Sequence, residues 1–207
     1  LVPQEIEQIA KLEPSKTYLD QSFTPDVLLT TASEPGVTEV HVASHAEFLP
    51  GGPQKARLYT GTTPMSLHEF AAMRQRRQDA PLDLFTLSAC RTALGDNDSE
   101  LGFAGLALQA GSRSAIGTLW YVDDVATSAF FILFHRYRQA GWPKADALQA
   151  TRRAFASGAV RLDGDRVIGP DGSSLLQGLS GAQRSRLQNG LSHPYYWAGI
   201  QLMGVPW

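Results

Sequence analysis

The chain has 207 residues, of which 43% are apolar, 18% charged and 9% aromatic, with a formal charge of −2. This is the balance of a globular domain that buries its own core, and the lack of a basic surplus argues against nucleic acid as a partner. The longest apolar stretch, 129–134, falls far short of the ~18 residues of a membrane span. Cys90 stands alone, which excludes an intrachain disulfide and a cysteine-rich zinc site. A lone thiol suits a reducing compartment, so a cytoplasmic location is expected. Leu1 opens the sequence with neither Met nor a signal-like segment, so it reads as a fragment of a longer protein.

In chain order, residues 3–12 place Ile6, Ile9 and Leu12 at helical spacing, with Glu5 and Glu7 where acidic groups suit the helix dipole. Residues 15–19 are a short strand candidate. Thr24 before Pro25 predicts an N-cap, opening a helix that runs to about Ser33 and ends at Glu34-Pro35-Gly36. The β-branched run 39–45 predicts a buried strand with His45 at its C-terminal end. Residues 49–53 read as a loop and 57–60 as a minor strand. Residues 64–76 read as a helix capped by Ser66, with a basic end at Arg74, Arg76 and Arg77.

Residues 82–90 form the second clear strand and finish at Cys90. A polar loop over 91–99 leads to a helix over 100–110, stopped by Gly111. A third strand spans 112–120. Residues 123–139 predict a long helix, apolar nearly all round over 129–134 and therefore deep. Gly141-Trp142-Pro143 breaks it, and 144–157 is another helix. Segment 158–191 carries two hairpin-like turns, Asp163-Gly164-Asp165 and Pro170-Asp171-Gly172, then a polar stretch of weak helical pattern. It reads as an insertion or flap, and as a candidate gate together with the loop after Cys90. Residues 195–202 predict a final strand.

Strands alternating with helices argue for an α/β sandwich with a mostly parallel sheet, in which ligands bind beyond the carboxyl ends of the strands. His45 and Cys90 each end a strand, 45 residues apart, one crossover unit. If those strands are neighbours, the two side chains share one rim. A histidine beside a thiol can take its proton and make it a nucleophile. Main-chain N–H groups at such strand ends can hold an oxyanion. The plainer alternative is that Cys90 is a small buried apolar residue and His45 a structural one. Glu47 is placed to orient His45, or simply to face solvent.

Several stretches resemble the CHAT domain, a family of caspase- and separase-like cysteine peptidases often attached to tetratricopeptide repeats. Val40-His41-Val42-Ala43-Ser44-His45-Ala46 resembles the family's histidine motif, and Leu87-Ser88-Ala89-Cys90-Arg91-Thr92-Ala93-Leu94-Gly95-Asp96 its cysteine motif. Leu119-Trp120-Tyr121-Val122-Asp123-Asp124 resembles its tryptophan turn, and His193-Pro194-Tyr195-Tyr196-Trp197-Ala198-Gly199 its last strand. The resemblance runs in the family's order from about residue 3 to 207. It implies a three-layer, caspase-like α/β/α sandwich formed by a single peptidase domain over 1–207, the C-terminal part of a longer protein. It implies a cysteine endopeptidase with Cys90 as nucleophile, His45 as general base, and the N–H groups of Ala46 and Cys90 as oxyanion donors. No cofactor or metal is called for. A protein or peptide is the expected substrate, and a repeat domain of the same longer protein an expected regulator. Neither membrane nor nucleic acid is expected as a partner. Two departures stand out. Ala46 replaces the usual glycine after the histidine, bringing a methyl toward the oxyanion pocket, and an upstream edge strand of the family's sheet is expected to be absent.

Relatives of this group select the side chain before the scissile bond. Asp123 and Asp124, with Asp96, Asp98 and Glu100 in the loop after Cys90, are candidates for receiving a basic one, because a carboxylate pairs bidentately with arginine. Asp123 and Asp124 equally suit the cap of the following helix, while Arg91 and Arg113 would favour an acidic substrate residue. A non-catalytic interaction module on the same scaffold is the competing function. His41 and His45, four apart on a strand, would lie about 13 Å apart, too far for a shared metal. His193 reads as structural, His68 and His135 as helix residues, and Trp120, Trp142, Trp197 and Trp207 as core or edge packing.

Overall fold

A computed structural model describes residues 1–47, 56–66, 69, 72–77, 81–88, 105, 107–108 and 110–207. Two compact units are present. One comprises Leu1–Thr17, Val122–Gly199 and Trp207; the other comprises Tyr18–Tyr121 and Ile200–Pro206.

The second of these carries the main sheet. Its strands are β1 (Glu39–Ala43), β5 (Leu84–Ser88), β6 (Ser114–Thr118) and β10 (Ile200–Gly204), in the order β1-β5-β6-β10. β1, β5 and β6 run parallel, and β10 returns antiparallel along β6. The fold is thus mixed α/β with a mostly parallel central sheet, as the alternation of elements predicts. All five residues of β5 are buried, as befits a central strand covered on both faces. Val42 pairs with Leu87, and both join Phe85 and Ala115 in one apolar cluster. Helix α2 (Pro25–Ala32) adds Leu28 and Ala32 to that cluster, and helix α3 (Ala72–Arg76) adds Met73. As predicted, the Thr24 hydroxyl caps α2 by accepting the Val27 N–H at 3.2 Å. The other end of α2 is closed by Arg77, whose buried guanidinium donates to the carbonyls of Ala32, Glu34 and Val37. One fork thus satisfies the Ala32 and Val37 carbonyls and shares the Glu34 carbonyl with the Val37 N–H.

A small antiparallel sheet follows β1: β2 (Ala46–Glu47), β3 (Arg57–Tyr59) and β4 (Pro64–Ser66), in the order β2-β3-β4. Here the helix predicted over 64–76 needs correction. Its first three residues pair with β3, and Pro64 is tolerated because it opens an edge strand. Ser66 does cap what comes next, since its hydroxyl accepts the Glu69 N–H while the Glu69 carboxylate accepts the Ser66 N–H. Residues 15–19 form no regular element and pair with no strand among the described residues, and Tyr18 accepts instead a hydrogen bond from the Thr31 hydroxyl. The final strand starts later than 195. Pro194 and the His193 cap wind 194–196 into a 3₁₀ turn, and pairing begins at Ile200. The predicted loop over 49–53 lies outside the described residues. Of the predicted helix 100–110, Gly105, Ala107 and Leu108 are helical, and Gly111 ends the stretch at φ +94°.

In the other unit, α1 (Val2–Ala10) and α5 (Lys144–Ala156) pack on α4 (Asp124–Gln139). Every residue over 125–135 is buried, as its apolar pattern demands, and Phe130 meets the rings of Phe131 and Phe155. Segment 158–191 forms a meander, β7 (Arg161–Asp163), β8 (Arg166–Ile168) and β9 (Ser174–Leu176), with both predicted turns in place. Its polar stretch becomes helix α6 (Gly181–Arg186), with Ser180 and Gln183 forming a reciprocal cap. Arg136 of α4 donates to Ser173 and to the Ser174 carbonyl, and Gln4 of α1 exchanges two hydrogen bonds with the Gln177 backbone. No helix of the described residues is long and apolar enough to cross a membrane.

Candidate active site

β1 ends at Ala43, and two residues later the chain exposes His45 before β2 begins. The histidine therefore lies just past the strand that the sequence predicts to contain it. Tyr59 braces this corner at three points. Its N–H donates to the His45 carbonyl at 2.9 Å, its carbonyl accepts the Ser44 hydroxyl, and its own hydroxyl donates to Glu47 Oε2 at 2.8 Å. Glu47 is thereby drawn toward Tyr59. Nothing in the sequence marked Tyr59 for this role beyond its place in a minor strand.

The register also orients Ala46. It pairs with Leu58, and the bond from Tyr59 N–H to the His45 carbonyl flanks that pair. In an antiparallel ladder this geometry makes Ala46 and Leu58 a non-hydrogen-bonded pair, whose N–H groups point away from each other. The Ala46 N–H is thus left out of the ladder with β3. The residue is fully buried, so its methyl packs inward at this corner.

β5 lies directly beside β1, with Ala43 opposite Ser88 at the carboxyl ends of both strands. The strand that leads to His45 and the strand that leads toward Cys90 are therefore parallel neighbours. Cys90 itself, with Arg91, Asp96, Asp98 and Glu100, lies outside the described residues.

Asp123 and Asp124 belong to the other unit. Asp123 Oδ1 accepts the N–H groups of Val125 and Ala126, so Asp123 is the N-cap of α4. Its Oδ2 accepts Arg186 Nε at 2.8 Å, and Asp124 Oδ1 accepts a terminal nitrogen of the same guanidinium at 2.5 Å. Sequence reasoning missed Arg186; the one available signal was the basic end of the weakly helical stretch. His193 Nδ1 accepts the Tyr195 N–H, so the residue expected to be structural serves as a cap. His135 is buried against the Phe134 ring. Trp207 is 77% exposed, which corrects its reading as a packing residue: it lies beyond β10 at the end of the chain, whereas Trp142, 43% exposed between α4 and α5, packs at an edge against the Tyr137 ring. Among the described residues no three of His, Cys, Asp and Glu gather into a metal-binding group.

No curated protein matches this chain. The family model of the CHAT domain matches residues 1–205, nearly the full length. The mostly parallel sheet is consistent with the caspase-like α/β fold of that family, and the stretches that resemble its histidine and cysteine motifs begin within β1 and within neighbouring β5. The chain therefore belongs to the CHAT domain family of caspase-like cysteine peptidases.

Proposed function

We propose that this chain is a cysteine endopeptidase working through a Cys90–His45 dyad. The observation that carries the reading is the parallel pairing of β1 with β5, in register up to Ala43 and Ser88. His45 follows Ala43 by two residues, and Cys90 follows Ser88 by two. Paired strands are about 4.8 Å apart, so equal lengths of chain leave one rim side by side.

His45 takes the Cys90 proton, and the thiolate attacks the scissile carbonyl carbon. The N–H groups of Ala46 and Cys90 receive the oxyanion. Imidazolium then protonates the leaving amine as the C–N bond breaks, leaving a thioester. Water, giving its proton to His45, releases the acid and regenerates the thiol. This acyl transfer requires no metal or cofactor. A basic residue before the scissile bond is the preferred substrate, with Asp123, Asp124, Asp96 and Glu100 as its partners. Arg186 bridges Asp123 and Asp124, so a substrate arginine would have to displace it. The whole chain acts as one peptidase domain of a longer cytoplasmic protein, with 158–191 inserted in it and a repeat domain regulating it.

Cys90→Ala or His45→Ala abolishes cleavage of a peptide library while far-ultraviolet circular dichroism is unchanged. A peptide acyloxymethyl ketone labels Cys90, and labelling is lost in His45→Ala. Full turnover by either variant refutes the dyad. Failure of the intact chain to be labelled or to cleave would instead favour a non-catalytic interaction module.

A further inference from the structure

A surface groove of about 570 Å³ runs along the outer face of α5, and none of the residues invoked in the catalytic reading lines it. Tyr137, Trp142, Pro143 and Pro170 contribute its rings. The Tyr137 and Trp142 rings meet at a tilt with centroids 5.2 Å apart, and Trp142 remains 43% exposed. Ala150 and Ala154, one helical turn apart, also line it and leave room for a backbone to approach closely.

Its charges are the more specific feature. Asp146 and Arg153 both line the groove, both are exposed, and neither makes an ion pair among the described residues. Seven residues of helix carry them two turns apart on the same face, about 10.5 Å along the axis. A carboxylate and a guanidinium therefore stand at a fixed spacing beside aromatic and proline rings.

We propose that this groove docks a proline-rich segment of a partner protein, in the polyproline II conformation, bearing a basic and an acidic side chain three residues apart. Polyproline II repeats every three residues and rises about 3.1 Å per residue, so such side chains share a face about 9.3 Å apart. That spacing matches Asp146 and Arg153. Proline rings pack against aromatic walls, and the segment is ordered before it binds, which lowers the entropy lost on docking. The proposal is independent of the dyad.

The test titrates two peptides, Ac-Pro-Pro-Arg-Pro-Pro-Glu-Pro-amide and the same peptide with Arg and Glu exchanged, into the isotope-labelled chain. The indole N–H resonance of Trp142 and, in every variant, the backbone amide resonances of Gln149 and Ala150 are followed. At least one peptide produces a saturable shift with Kd on the order of 100 μM. Trp142→Ala weakens binding about tenfold. Asp146→Lys weakens it about fivefold, and a peptide with Glu in place of Arg restores the loss on that variant alone. Both positions are exposed, so both variants fold. No shift up to about 2 mM peptide, or affinity indifferent to Asp146→Lys, overturns the proposal. So does self-association of the chain that Trp142→Ala abolishes, since the occupant would then be a second copy.

Discussion

Replacing Asp123 by alanine and by asparagine separates the two interactions its carboxylate makes. Oδ1 accepts two N–H groups at the start of α4, and Oδ2 accepts Arg186. Alanine removes both. Loss of an N-cap costs about 1 kcal/mol, within a range of roughly 0.5–2. The ion pair adds at most about 1 kcal/mol, and the lower half of that range applies because the Arg186 side chain is 49% exposed and solvent screens it. Asp123→Ala therefore destabilises by about 1–2 kcal/mol, which lowers Tm by about 4 °C in a chain of this size. Asparagine caps as well as aspartate, so Asp123→Asn loses only the charge and drops Tm by less than about 2 °C. Thermal and urea unfolding followed by circular dichroism read both values. Salt at about 0.5 M should erase the asparagine deficit and leave the alanine deficit, because ions screen the pair but not the cap. Equal destabilisation by the two variants, or none by alanine, would refute the division of labour. In the peptidase assay Asp123→Asn, still folded, reduces the preference for a basic substrate residue.

Arg77→Met keeps the apolar stem but strands the carbonyls of Ala32 and Val37 and leaves Glu34 with the Val37 N–H alone; at about 1 kcal/mol per lost bond it costs about 3 kcal/mol in urea unfolding, and lysine recovers only part of this. Hydrogen bonds from the Ser173 hydroxyl and N–H, with help from the charge of Arg136, hold the Asp171 carboxyl below its ordinary value. Its stabilising effect is present above the unfolded carboxylate pKa and is lost as pH falls through the lower, folded one. A carbon-13 titration of Asp171 thus finds a depressed midpoint, the β8–β9 turn loosens in acid, and a midpoint at or above the usual range would refute the contacts. Gly204 sits at φ +96°, where an added Cβ would lie 2.2 Å from the Arg113 carbonyl oxygen. Gly204→Ala costs about 3 kcal/mol and frees β10 from β6, read as lost amide protection along 200–204.

Tyr59 shows how a neighbour builds the corner that the histidine motif only names. The sequence says that β1 stops and that His45 follows it. It does not say that the next two residues pair with a strand eleven positions further on, or that the pairing turns the Ala46 N–H outward. A corner of this kind is a register, and a register is shared between two segments.

What the residues settle alone is what short-range sterics and hydrogen bonding settle. Thr24 before Pro25 caps a helix wherever it is placed, Ser66 caps the turn after it, and the apolar run over 129–134 demands burial on all sides. The β-branched run ending at Ala43 and the apolar run ending at Ser88 were legible as strands for the same reason, together with the motifs that follow them. Partner choice is different. Pro64-Met65-Ser66 became a strand because β3 was there to receive it, whereas 15–19 pairs with no strand among the described residues. The antiparallel course of β10, and the Arg186 bridge to two aspartates more than sixty residues earlier, likewise belong to segments that meet only in space. Backbone preference and capping act within a turn or two of chain, whereas strand pairing and ion pairing depend on which distant groups the folded core brings within a hydrogen bond's reach.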